Sequence, residues 1–87
     1  MQQVEIVNIK GLHARASARF VKLAGSFDAS VTVSRDGSDV VGTSIMGLML
    51  LAAARGDHIM ISAEGPEAEA AVTALADLVA NRFGEDQ

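Results

Sequence analysis

The sequence predicts an α+β fold: an antiparallel sheet with helices on one of its faces. Three observations carry this. Four short segments rich in β-branched residues, several of them alternating apolar and polar, are interleaved with three segments whose apolar residues recur at helical spacing. The order is strand, helix, strand, strand, helix, strand, helix. Between the second and third strands stands Asp36-Gly37, a hairpin turn pair that makes those two strands antiparallel neighbours.

Taken in order, Val4 to Ile9 reads as the first strand, with Val4 and Ile6 on one face and Glu5 on the other. Lys10-Gly11 turns the chain into a helix over Ala14 to Ala24, where Ala16, Phe20, Leu23 and Ala24 form the apolar stripe and Gly25 is placed to end it as a C-terminal glycine. Ala29 to Arg35 alternates, with Val31 and Val33 inward, and Ser38 to Gly42 returns after the turn. Ser44 occupies an N-cap position ahead of a short helix beginning at Ile45. That helix is apolar nearly all round. Leu48 and Leu51 fit an inward stripe, which leaves Met46 and Met49, with Ile45 or Leu50, for an exposed patch. His58 to Ala63 forms the last strand, Ile59 and Ile61 inward. The final helix starts around Glu64-Gly65-Pro66-Glu67 with Pro66 as its first residue, and buries Ala68, Val72, Leu75 and Val79. Arg82 and Gly84 fit its end, and Glu85-Asp86-Gln87 reads as a frayed tail.

Composition narrows the function. The 87 residues form one domain, 1–87, large enough for a core and too small for a deep cleft beside a cofactor domain, so function is expected on the surface and without a cofactor. The absence of cysteine removes disulfides and thiolate metal sites, and no His, Asp and Glu grouping suggests a metal. The first residues lack the pattern of a signal peptide, and Ile45 to Ala54 is far too short to span a bilayer. A soluble cytoplasmic protein with no membrane insertion is expected. The net charge of −4 hides an asymmetry: from Ile6 to Phe27 there are four basic residues and no acidic one, while the rest holds three basic and eleven acidic. Few aromatics and overall negative charge argue against nucleic acid.

The basic segment surrounds the stretch that organises the chain, Gly11-Leu12-His13-Ala14-Arg15. It puts one histidine where strand gives way to helix. The unpaired N–H groups and partial positive charge of a helix start favour an anion there and a neutral, nucleophilic imidazole, and Arg15 adds a charge-assisted fork for phosphate oxygens. No acid, second histidine or cysteine stands near His13 in the sequence, which argues against a triad or a metal site. Arg15, Arg19 and Lys22 share one face of the helix, opposite Phe20 and Leu23. Arg55-Gly56-Asp57 and His58 are read as turn and surface residues without a role.

Three segments together, Gly11-Leu12-His13-Ala14-Arg15, Thr43-Ser44-Ile45-Met46-Gly47-Leu48-Met49 and Ile61-Ser62-Ala63-Glu64-Gly65, resemble the histidine-containing phosphocarrier family, HPr, of the bacterial phosphoenolpyruvate-dependent phosphotransferase system. The likeness covers nearly the whole chain. It implies an open-faced β-sandwich, βαββαβα, with a four-stranded antiparallel sheet and three helices. It also implies that His13 accepts a phosphoryl group on Nδ1 from enzyme I and passes it to an enzyme IIA component, with Arg15 assisting. Ser44 corresponds to the serine that HPr kinase phosphorylates in relatives. The expected partner surface comprises Ala14, Ala18, Arg19, Lys22, Ile45, Met46 and Met49, on a monomer that relays phosphoryl groups and is not itself an enzyme. Two departures stand out. Ala16 occupies a position where many members have proline, which predicts a first helical turn that is less constrained at its start. Thr43 replaces a lysine of some relatives beside the serine. The alternative is a regulatory binding module acting through Ser44 and the Ile45-Met46-Met49 patch. A small phosphatase would need a water-activating acid brought in from a distant part of the chain.

Overall fold

The structure is a computed structural model, and it describes residues 1–85. Among these the chain forms β1 (Gln2–Glu5), α1 (Ala14–Ala24), β2 (Ser30–Arg35), β3 (Ser38–Val41), α2 (Ile45–Leu50), β4 (His58–Glu64) and α3 (Ala68–Ala80), followed by a short turn at Arg82–Gly84. The four strands make one sheet in the order β1-β4-β2-β3, every neighbouring pair antiparallel. The predicted α+β class, element order and antiparallel sheet are all present.

Register explains which face is covered. Val33 lies opposite Val40 on one side and Ile61 on the other, and Val4 opposite Ile59, so one face of the sheet is a continuous apolar surface. Against it pack Phe20 of α1, Leu48 of α2, and Leu75 and Val79 of α3, all fully buried. The other face carries Gln3, Ser34, Asp39 and His58 and, among the described residues, has no helix over it. Asp36 and Gly37, at φ 49° and 84°, make the left-handed pair that a two-residue hairpin requires.

The first strand is shorter than expected, because after Glu5 the chain leaves β4's ladder and is held by a loop instead. Ile6 donates to Asp57 O and accepts from Gly56 N, both at 2.8 Å, and Leu12 N donates to Ala53 O at 3.0 Å. Gly11 makes this approach feasible: at φ 63° a side chain is strained, and a Cβ would lie 2.4 Å from Ala53 O. The backbone leading into His13 is therefore pinned from both sides.

Gly25 ends α1 as expected, as a right-handed C-cap at φ −70° with its N–H on Val21 O. Two local expectations are corrected. Pro66 lies ahead of α3, in a turn closed by Ala68 N donating to Gly65 O. The helix starts at Ala68, and the Glu67 carboxylate, instead of capping it, accepts the Asp28 N–H at 2.7 Å. Glu85 is not frayed. Arg82, Phe83 and Gly84 are three consecutive left-handed residues, at φ 57°, 56° and 78°, that turn the chain back under α1 with Phe83 fully buried. Asp86 and Gln87 of the expected tail lie outside the described residues.

Candidate functional site

His13 is the N-cap of α1. Its backbone is extended (φ −77°, ψ 178°), its carbonyl accepts the first helical bond from Ser17 N at 2.9 Å, and its Nδ1 accepts from Arg15 N at 3.3 Å. The imidazole thus does the work usually given to a Ser or Asp side chain. Its other nitrogen, Nε2, is 2.6 Å from Oε2 of Glu85. These two contacts assign the tautomer. Nδ1 accepts a hydrogen bond from an amide and must present a lone pair, so Nε2 carries the ring hydrogen and donates a hydrogen bond to the carboxylate.

Glu85 is held in turn. Its Oε1 accepts from Asn8 Nδ2 at 2.9 Å, and the same amide nitrogen donates to Gly11 O at 2.8 Å, closing the turn before His13. Asn8 is completely buried and its Oδ1 has no partner among the described residues, a cost of about 1–3 kcal/mol. Both N–H groups of that amide are spent on the backbone and the acid behind His13. An acid therefore does stand beside His13. The local sequence showed none because Glu85 arrives from 72 residues away. The readable signal was Phe83-Gly84-Glu85, an aromatic anchor, a hinge and an acid directly after an amphipathic helix.

The other predicted residues fall as follows. Arg15 is exposed, and among the described residues its guanidinium makes no hydrogen bond or ion pair. Ala14, Ala18 and Lys22 are exposed on α1. Arg19 is exposed too, yet one of its N–H groups donates to the Phe83 carbonyl. Ser44 caps α2, its Oγ accepting from Gly47 N at 3.0 Å. Beyond it Met46 and Leu50 are 73% and 76% exposed, with Ile45 and Met49 above 40%. Nothing within the described chain covers this patch, since Leu48 and Leu51 alone turn inward. Leu50 belongs to it alongside Ile45. A cavity of about 460 Å³ is lined by Gln3, Arg35, Asp57 and His58 and does not include His13, which is half-buried at the start of α1.

Burial alone would push the Glu85 carboxyl up. The hydrogen bonds from His13 and Asn8, with the electrostatic attraction of the His13 ring and of Arg19, outweigh it and hold the group below its ordinary value of 4.5. A carboxylate whose folded value is depressed contributes stability that is fully present above its unfolded value and is lost as pH falls through the folded one. The Glu85 contribution is therefore intact at neutral pH and disappears below the ordinary carboxylate range. A carboxyl-detected NMR titration is expected to show Glu85 titrating below a model glutamate, and His13→Ala to move it back up.

The comparisons bear directly on this site. The family model described as the PTS HPr component phosphorylation site matches residues 1–81. The phosphocarrier protein HPr of Cupriavidus necator is 49% identical over 82 residues, covering 94% of this chain and 92% of that protein. The chain belongs to the HPr family. The solved HPr structure from Thermoanaerobacter tengcongensis superposes with a TM-score of 0.92 at 43% identity, over the full length of both chains. An HPr dimer from the same organism gives 0.79 at 44% identity, over 94% of each. HPr proteins are phosphocarriers of the phosphotransferase system, and the open-faced sheet with three helices is theirs. The matched span ends at residue 81, so the left-handed turn and Glu85 lie beyond it.

Proposed function

We propose that His13 is the phosphoryl acceptor of this HPr and that Nδ1 is the atom that carries the group. The observation behind this is the unequal bonding of the two ring nitrogens: Nε2 is fixed on a carboxylate, whereas Nδ1 faces only one long amide contact at the start of α1. The Nδ1 lone pair attacks phosphorus while the bond from phosphorus to the donor, phosphorylated enzyme I, breaks. Glu85 keeps the proton on Nε2 and stabilises the positive charge that develops on the ring. The Arg15 N–H, no longer bonded to Nδ1, and the Arg15 guanidinium then face the phosphoryl oxygens. Transfer to an enzyme IIA component reverses the step, so the protein is a carrier with a phosphohistidine intermediate and not an independent catalyst.

Partner recognition follows from the surface. Ala14, Ala18, Arg19, Lys22 and the Ile45-Met46-Met49 patch present an apolar centre with a basic rim, suited to partners with acidic groups around an apolar hollow. A carrier meets several proteins in turn, which favours a single domain, 1–87, acting as a monomer in the cytoplasm and docking transiently. A second reading rests on Ser44. Its hydroxyl caps α2 at the margin of the exposed patch, so a phosphate added there by an HPr kinase places charge against an apolar docking surface. Incubation with phosphoenolpyruvate and enzyme I, followed by intact-mass analysis, is expected to add one acid-labile phosphoryl group to the native chain and none to His13→Ala. Absence of label on the native chain, with an enzyme I that phosphorylates itself, would transfer the assignment to the Ser44 module.

A further inference from the structure

The left-handed turn after α3 has no evident reason to exist on its own. Two non-glycine residues in succession, Arg82 and Phe83, adopt φ 57° and 56°, each at a cost of about 1–2 kcal/mol, and Gly84 completes the turn at φ 78°. Such a conformation persists only when surrounding contacts impose it. Three do. Phe83 is fully buried against the core. Arg19, two turns along the helix that His13 caps, donates to the Phe83 carbonyl inside the turn. Asn8, buried within the β1–α1 connection, donates to Glu85 Oε1.

We infer that Arg19 and Asn8 are positioning residues that hold this turn as a latch, keeping the Glu85 carboxylate on His13 Nε2 and thereby orienting the nucleophile. The inference rests on the proposed role of His13. It gives Arg19 a second role: a cation on the exposed basic face of α1, its guanidinium is also committed in part to a carbonyl of its own chain. Gly84 fits the same account, because a Cβ there would lie 3.1 Å from Arg19 Nη1 and would be strained at φ 78°. Latch and nucleophile share one helix, with Arg19 six residues after His13.

The test separates positioning from docking by using no partner protein. Arg19→Met keeps the aliphatic stem and removes the donor, Arg19→Lys keeps a donor, and Gly84→Ala disturbs the turn from its other side. Two quantities are read on ¹⁵N-labelled protein: the chemical shifts of the His13 ring nitrogens, and the rate of His13 phosphorylation by phosphoramidate. In that reaction the P–N bond of the reagent breaks, ammonia leaves and a P–Nδ1 bond forms. Arg19→Met and Gly84→Ala are expected to shift the Nε2 resonance away from its carboxylate-bonded position and to slow phosphorylation about tenfold, the scale for a contact that orients a functional histidine. Arg19→Lys is expected to restore both.

If Arg19→Met leaves the ring shifts and the phosphoramidate rate as in the native chain, the latch is overturned and Arg19 keeps only its place on the docking face. Gly84→Ala with native values would overturn it independently of any fault in folding of the arginine variants. Failure of enzyme I to label native His13 would instead count against the carrier reading and leave these partner-free measurements standing.

Discussion

Exchanging Glu85 for glutamine slows phosphorylation of His13 by about ten- to a hundredfold, with the fold preserved. The carboxylate has two oxygens and uses both, Oε1 for Asn8 and Oε2 for His13. A glutamine has one oxygen and one NH₂, so it must offer a donor to one of two donors. If the amide nitrogen faces Asn8, an unfavourable N–H to N–H contact is buried. If it faces His13, the ring is driven toward the tautomer with hydrogen on Nδ1, which removes the lone pair from the atom that attacks phosphorus. In either orientation the negative charge that stabilises a cationic ring is gone. Single-turnover labelling by phosphorylated enzyme I measures this, and a rate within twofold of native would remove Glu85 from the mechanism. Both side chains are partly open to water, which keeps the expected effect below that of a fully enclosed histidine–carboxylate pair.

Replacing Phe83 with alanine lowers stability by about 3–5 kcal/mol, the usual range for deleting a fully buried phenylalanine ring. The same ring anchors the left-handed turn, so its loss also frees Glu85 from His13. Urea denaturation reads the first effect and the His13 ring nitrogens the second. A detached turn caps the global cost, which places the expected value at the lower end of the range. A loss under about 1 kcal/mol would mean that Phe83 is not part of the cooperative core. The two readouts tie the hydrophobic core to the chemistry through one side chain.

Most of the fold was legible because it is written in local patterns. Val31 and Val33, Ile59 and Ile61, and Ala16, Phe20 and Ala24 are buried as their periodicity required, and Asp36-Gly37 forms its turn. The exposed face of α2 was legible for the opposite reason, since a helix apolar all round at the margin of a small domain leaves side chains without a core to enter. Boundaries moved where tertiary contacts overrode local signals. β1 stops at Glu5 because the loop at Gly56-Asp57 takes over the partners of Ile6, and α3 starts late because Glu67 serves the loop at Asp28. The acid behind His13 was beyond local reading. Its placement depends on Phe83 finding the core, on Asn8 and Arg19 supplying donors, and on two residues accepting a left-handed backbone. None of these is a propensity of Glu85 itself, and a charged residue near the end of a segment ordinarily frays.

The most direct test of the central claim is to identify the phosphorylated atom. The native protein and His13→Ala are to be labelled with phosphoenolpyruvate and enzyme I and compared by intact mass and by ³¹P and ¹⁵N NMR. One acid-labile group on the native chain, bonded to Nδ1 with Nε2 still protonated and shifted by Glu85, is the expected result, with no label on the variant. A phosphoryl group on Nε2, or an equal label on His13→Ala, would contradict the account.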